Sequence, residues 1–361
     1  MNSYTKLSEN SNDKFIRFSN SEGKAWVVPI RNMRTALNLY QPSGAKGKAV
    51  KSLLPYLHWV PQVRALIKAE NRQVTLDEPL KKLLCRVLKI EYFEFSIFEG
   101  TPSVHQKVTI QISKGSQILA YCKLTESEEV KPLFRHEEQI LNQLQSKGIG
   151  NIPKCLYCGE LSEGSKTLLF VQSTIKTNRS KIIHSWGDEH WKFLEDLHEK
   201  TKVKLPFIES DFAKSLAMLE GYLASLPIEN KDIIYNAIKQ VREYYGGKEV
   251  EFSAYHADFT PWNMFFEKGK LFVFDFEYAA MTYPPHLDWF HYYTQTANFE
   301  RHLTPEQIIA EFKCPERLDS QVGYVAYLLD MISKYVHREK GQLRSNTLDN
   351  ITFWIDILKS L

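Results

Sequence analysis

The 361-residue chain is 43% apolar, enough to bury at least one large core, with two or three subdomains the natural expectation. Its 46 basic and 43 acidic side chains nearly balance, which argues against a nucleic-acid partner, and no apolar run approaches the ~18–20 residues needed to span a bilayer. The polar stretch from Met1 to Lys6 lacks the apolar segment of a secretory signal, and the five scattered cysteines suit a reducing compartment, so a cytoplasmic location is expected.

In chain order, Lys14–Phe18 and Ala25–Pro29 alternate around Asn20-Ser21-Glu22-Gly23 and predict a β-hairpin. Helical patterns come next, over Met33–Tyr40, Ala49–His58, Pro61–Ala69 and Pro79–Leu88, with Pro42 and Gly44 marking a break. Residues 1–90 read as an accessory extension, either a small domain or a layer added to the sheet of residues 91–175. Lys46, Lys48, Lys51 and Arg64 could touch an anionic substrate or form a solvated helix face.

Residues 91–175 read as a run of strands with one helix. Glu91–Phe98, Lys107–Ser113 and Gln117–Leu124 are β-branched or aromatic runs, and Ile152–Glu160 and Lys166–Ser173 supply two more strands. Between the first three strands and the last two lies a helix with Glu137, Ile140, Leu141 and Leu144 at i, i+3, i+4, i+7 spacing, which puts Glu137 on the apolar stripe. A charge there needs a partner. Lys123, near the end of the third strand, is the obvious one; Glu138, facing about 100° away, is the alternative acid. Cys155 and Cys158 could form a redox or zinc pair, but no second pair lies at ligand spacing, and a plain strand is the simpler reading.

Residues 176–361 read as mostly helical. Asn178–Lys181 looks like linker, and helices are predicted at Trp191–Thr201, Phe212–Leu226, Ile233–Tyr245, Trp289–Thr296, Pro305–Phe312, Gln321–Arg338 and Thr347–Leu358. Among them, His198 reads as a packed structural histidine. The many aromatics of the last helices are mostly core, and a few could line a ligand pocket.

The most informative segment is His256-Ala257-Asp258-Phe259-Thr260-Pro261-Trp262-Asn263, with the apolar run Leu271–Phe274 and Asp275-Phe276-Glu277 after it. An aspartate, an asparagine five positions on and a second aspartate after an apolar strand form the polar set that phosphoryl transfer needs. Asp258 would orient and deprotonate a hydroxyl, while Asn263 and Asp275 supply hard oxygen ligands to Mg²⁺. Pro261 stiffens the loop. Trp262 could pack or touch substrate, and Glu277 could join the metal, bind a cationic acceptor group or form a salt bridge.

His-x-Asp-x-x-x-x-Asn with a later Asp-Phe-Glu resembles the aminoglycoside phosphotransferase and choline kinase family. Ala257 and Glu277 stand where protein kinases have Arg and Gly, which favours the small-molecule branch. The resemblance implies an α+β, bilobal, protein-kinase-like fold with an antiparallel N-lobe sheet and a mostly helical C-lobe, preceded here by the extension. It also implies ATP and Mg²⁺ as cofactors, and a small-molecule hydroxyl acceptor. The Lys123–Glu137 pair matches the family pair that grips the nucleotide phosphates. By position, Gly100, Thr101 and Ser103 belong to the phosphate loop, although only one glycine is present there, and Gln172, Ser173 and Thr174 belong to the hinge that meets adenine. Asp288, in Tyr283-Pro284-Pro285-His286-Leu287-Asp288-Trp289, is similar to a family acid that braces the catalytic loop, and His256 is also expected to brace it. The Thr-Pro-Trp-Asn loop is similar to members tied to cell-surface glycan synthesis. A nucleotide-binding scaffold without transfer activity is the alternative from another class, and protein kinase activity is a third.

Overall fold

The computed structural model describes residues 5–7, 14–20, 23–42, 44–100, 106–318 and 320–361. They fall into two compact units. The first comprises residues 1–146, 150–182 and 265–277; the second comprises 147–149, 183–264 and 278–361.

An eight-stranded antiparallel sheet organises the first unit, in the order Glu70–Arg72, Phe15–Ser19, Ala25–Pro29, Glu94–Phe98, Val108–Lys114, Gln117–Thr125, Leu168–Ser173 and Cys155–Glu160. The N-terminal hairpin therefore continues the sheet: Trp26 pairs with Phe98 and Val27 with Ile97. Alternation explains why it can do so. Phe15 and Val27 join one core with Leu80, Leu83 and Leu84 of the helix Glu78–Leu88, while Ile16, Phe18, Trp26 and Val28 join another with Met33, Leu37 and Leu54. A strand buried on both faces needs cover on both, and the helices of the extension supply it.

The helix Lys131–Ser146 buries Phe134, Glu137, Ile140, Leu141 and Leu144 and packs on the last two strands. A hairpin, Met264–Glu267 with Lys270–Val273, is stitched to the segment after the strand Leu168–Ser173. Phe266 bridges Lys181, and the Thr177 and Ser180 hydroxyls donate to Glu267 at 2.8 and 2.5 Å. This hairpin fixes the chain that leads into Asp275.

The second unit is helical apart from a three-stranded antiparallel sheet, Val203–Pro206, Glu249–Tyr255 and Ala280–Tyr283. The helix Ser320–Arg338 packs on Asp211–Leu223, Lys231–Tyr245, Leu287–Phe299 and Ser345–Ser360, burying Tyr324, Tyr327, Leu328 and Ile332 completely. Two of the unit's helices are capped by side chains: Ser210 accepts from the Ala213 N–H, and Thr304 with Gln307 forms a capping box. Among the described residues, no helix is long and apolar enough to cross a membrane.

Candidate active site

In the first unit the central feature is Lys123. Its Nζ donates to Glu137 Oε2 at 2.7 Å and to Asp275 Oδ1 at 2.6 Å. The second Glu137 oxygen accepts the Phe276 N–H at 3.2 Å, so one buried carboxylate ties the lysine to the Asp-Phe-Glu segment. Glu138 instead faces Cys155. Burial works against a charged Lys123, but Asp275 and Glu137 outweigh it and hold its pKa above the ordinary value. Burial pushes Glu137 up to about 7, with Lys123 pulling the other way.

A second ion pair flanks the first. Lys107 Nζ lies 2.6 Å from Glu277 Oε2 and 3.9 Å from Asp275 Oδ1. Of the three carboxylates, Glu137 is fully buried and Glu277 is 8% exposed, whereas Asp275 is 23% exposed and is the one that opens outward. One oxygen from each of the three lies within 4.8 Å of the others. Such a group of hard donors fits Mg²⁺. Asp275 sits at φ +73, a left-handed conformation uncommon for a non-glycine residue, as is typical where surrounding contacts fix a functional side chain.

These residues border a cleft of about 760 Å³, open solvent at its mouth included. Lys107, Lys123 and Asp275 form its charged end. Phe265, Phe272 and Phe274 line it, and Gln172, Ser173 and Thr174 continue along the strand whose Phe170 pairs with Lys123. Gln172 is buried, and its Oε1 has no hydrogen-bond partner among the described residues. The Ser173 and Thr174 hydroxyls accept from the Lys154 and Lys176 N–H groups, and the Ser173 N–H donates back to the Lys154 carbonyl at 2.9 Å. Gly100 adopts φ +73, and a Cβ there would sit 2.3 Å from the Lys107 carbonyl oxygen. Thr101 and Ser103 lie outside the described residues.

The extension reaches this cleft, which sequence reasoning missed. Leu39 and Gln41 line it, as does Lys176, whose Nζ donates to the Asn38 carbonyl at 3.2 Å. Burial lowers Lys176 to about 7, and Lys51 adds repulsion.

In the second unit the loop of residues 256–263 is braced by its neighbours. Asp288, buried, accepts the His256 N–H at 2.8 Å and the Ala257 N–H at 3.1 Å. Lys334 donates to the Ala257 carbonyl at 2.6 Å. Together they fix Ala257 at φ +64, a conformation L-residues resist by roughly 1–2 kcal/mol. His256 Nδ1 accepts the Asp258 N–H at 3.1 Å. Phe259 is buried against Phe193, with ring centroids 5.8 Å apart.

The loop presents Asp258 with both oxygens engaged. Asn263 Nδ2 donates to Oδ2 at 2.7 Å and to the Asp258 carbonyl at 3.0 Å, which leaves the asparagine oxygen as the atom a cation would use. His291 Nε2 donates to Oδ1 at 3.3 Å. Burial lowers the His291 pKa against the opposing pull of Asp258, so the ring is neutral near pH 7. His291 was missed in the sequence, yet a signal existed: it stands three residues after Asp288 on one helix, and i, i+3 residues share a face.

His198 contacts Glu251 at 3.3 Å and packs on His286. Trp262 is 36% exposed, its ring edge-on to Phe299. Burial, with Glu138 adding to it, pushes the Cys155 and Cys158 thiols up to about 12.

A model described as the phosphotransferase enzyme family matches residues 109–319. Similar solved structures include a thermostable mutant of aminoglycoside phosphotransferase APH(4)-Ia in ternary complex with ADP and hygromycin B (TM-score 0.50, 12% identity, covering 78% of this chain and 97% of that one). Choline kinase LicA from Streptococcus pneumoniae is another (TM-score 0.45, 14% identity, 78% and 99% covered). A third is APH(2")-IIa in ternary complex with streptomycin and ATP (TM-score 0.47, 16% identity, 80% and 97% covered). A search of curated proteins gave no match. At these identities the structural likeness speaks to fold alone, and that fold is protein-kinase-like. The family match spans more than half of the chain, which therefore belongs to the phosphotransferase enzyme family as a small-molecule kinase.

Proposed function

We propose that the enzyme transfers the γ-phosphate of ATP, with Mg²⁺, to a hydroxyl of a small molecule such as a sugar, an amino alcohol or an aminoglycoside-like acceptor, and that it works in the cytoplasm. The observation that carries this reading is the buried Lys123, bonded to Glu137 and Asp275 at the charged end of the first unit's cleft. A buried ammonium with two carboxylate partners is costly unless it serves a purpose, and gripping nucleotide phosphates is one.

Lys123 neutralises phosphate charge and Glu137 orients it. Gly100, Thr101 and Ser103 belong to the loop over the phosphates, and Gln172 and Thr174 to the strand end that receives adenine. Asn263 and Asp275 are the proposed protein ligands of Mg²⁺, which when bound supplies positive charge to the phosphate oxygens. Asp258 receives the acceptor hydroxyl. A carboxylate is a weak base for an alcohol, so the proton passes to it late, as the phosphate bond breaks. Asn263 and the neutral His291 hold that carboxylate in one orientation, which matters because phosphoryl transfer depends on positioning and electrostatics.

The single glycine of the phosphate loop favours a second reading, a nucleotide-binding scaffold without transfer activity. Thermal denaturation with and without Mg·ATP tests nucleotide binding, which both readings expect, and slow ATP hydrolysis separates the two. The kinase reading expects stabilisation by the nucleotide and hydrolysis that Asp258→Ala abolishes. Equal hydrolysis by wild type and variant would overturn it.

A further inference from the structure

We propose that Lys107 is a second phosphate-contacting lysine of the cleft and that Glu277 holds it in place, so that a side-chain charge does what a glycine-rich loop does with backbone N–H groups. The proposal rests on the reading of this cleft as a nucleotide site.

Between the strands Glu94–Phe98 and Val108–Lys114 the chain has one glycine, Gly100. Backbone anion nests need successive N–H groups in alternating conformations that glycine adopts most freely. With one glycine in this stretch, a side-chain charge is an added source of positive potential. Gly100 serves another purpose: any side chain there would strike the Lys107 carbonyl, so its absence lets the two backbones lie against each other. The residue before Lys107 is also fixed. Gln106 Nε2 donates to the Glu99 carbonyl at 2.8 Å, and Thr125 Oγ1 donates to the Gln106 carbonyl at 3.1 Å. The base of the Lys107 side chain is thus anchored at the root of the loop.

Its tip meets Glu277 at 2.6 Å. Glu277 is nearly buried while Lys107 stays 30% exposed and borders the cleft beside Lys123. A buried carboxylate needs a counter-charge, and the lysine that supplies it is exposed enough to meet a ligand in the cleft. Both lysines approach the same Asp275 oxygen, at 2.6 and 3.9 Å. The cluster holds two ammonium groups against three carboxylates. One divalent cation would turn that excess of negative charge positive, the sign a polyphosphate needs. A plain salt bridge would need neither the shared oxygen nor the place on the cleft wall.

The test compares ADP with adenosine by calorimetric titration in Mg²⁺. Lys107→Met is expected to weaken ADP at least tenfold and leave adenosine within twofold, whereas Lys107→Arg keeps most of the ADP affinity and reports on the site even if the Met variant folds poorly. In a Glu277→Gln background the loss from Lys107→Met should shrink severalfold; full additivity would remove Glu277 from the proposal. An ADP affinity unchanged in Lys107→Met would overturn the role of Lys107 and leave the nucleotide reading standing. Wild-type protein that binds neither ligand would overturn both.

Discussion

The side-chain amide of Asn263 donates to the carboxylate of Asp258 at 2.7 Å, so the residue proposed as a metal ligand also aims the residue proposed to receive the acceptor. Its nitrogen is committed to Asp258, and only its oxygen faces other duty. Asn263→Ala should therefore reduce kcat by about 10²–10³, the scale of losing one preorganised polar group. It should also raise the Mg²⁺ concentration needed for half-maximal rate. A variant with unchanged kcat and Mg²⁺ requirement would separate Asn263 from both roles.

His291 gives a graded version of the same experiment. A hydrogen bond to a charged group is worth about 1.5–3 kcal/mol, or roughly ten- to hundredfold in rate if it acts only on the reacting geometry. His291→Phe should show that loss in kcat with little change in the KM for nucleotide. His291→Gln, which retains a donor, should recover part of it. Equal losses in both variants would mean that the ring packs rather than positions.

How much of the site was legible in the sequence depended on range. Glu137 could be found because a charge at i of an i, i+3, i+4, i+7 apolar stripe is a local contradiction that demands a partner. Asp258, Asn263, Asp275 and Asp288 could be found because their spacing along the chain is itself the signal. The Lys107–Glu277 pair, 170 residues apart, leaves no local trace. Nor does the pairing of Trp26 with Phe98 that carries the extension into the sheet, or the arrival of Leu39 and Gln41 at the cleft. The strands Val203–Pro206 and Ala280–Tyr283 were missed because their residues are mostly half-exposed or exposed, so no apolar alternation marks them.

Lys123 and Glu137 should be separable as stability and function. Lys123→Met leaves a buried carboxylate without its partner, a loss of about 3–5 kcal/mol when the charge persists. Glu137 is held up to about 7, so a proton can neutralise it. The variant should therefore melt closer to wild type at pH 6 than at pH 8.5. Adding Glu137→Leu should restore much of the melting temperature at pH 8.5 but none of the transferase activity. A double variant that stays as unstable as Lys123→Met would place the cost elsewhere.

Stability against pH should reflect two opposing sets of buried groups. Burial lowers His190 and His286 to about 4, against an ordinary value near 6.5. The unfolded chain then binds more protons between those values, so their contribution is complete above pH 6.5 and is lost as pH falls toward 4. Burial raises Asp288 to about 7 despite the His256 and Ala257 N–H groups, and Glu137 moves the same way. For these acids the folded state binds more protons, so their contribution is complete below the ordinary carboxylate value and is lost as pH rises through 7. His190→Gln should consequently flatten the fall in melting temperature between pH 6.5 and 4.5. Asp288→Asn should flatten the fall between pH 5 and 7.5 while lowering stability throughout. Melting curves across pH 4.5–8 decide it: if His190→Gln keeps the wild-type slope on the acid side, its imidazole is not held neutral by burial.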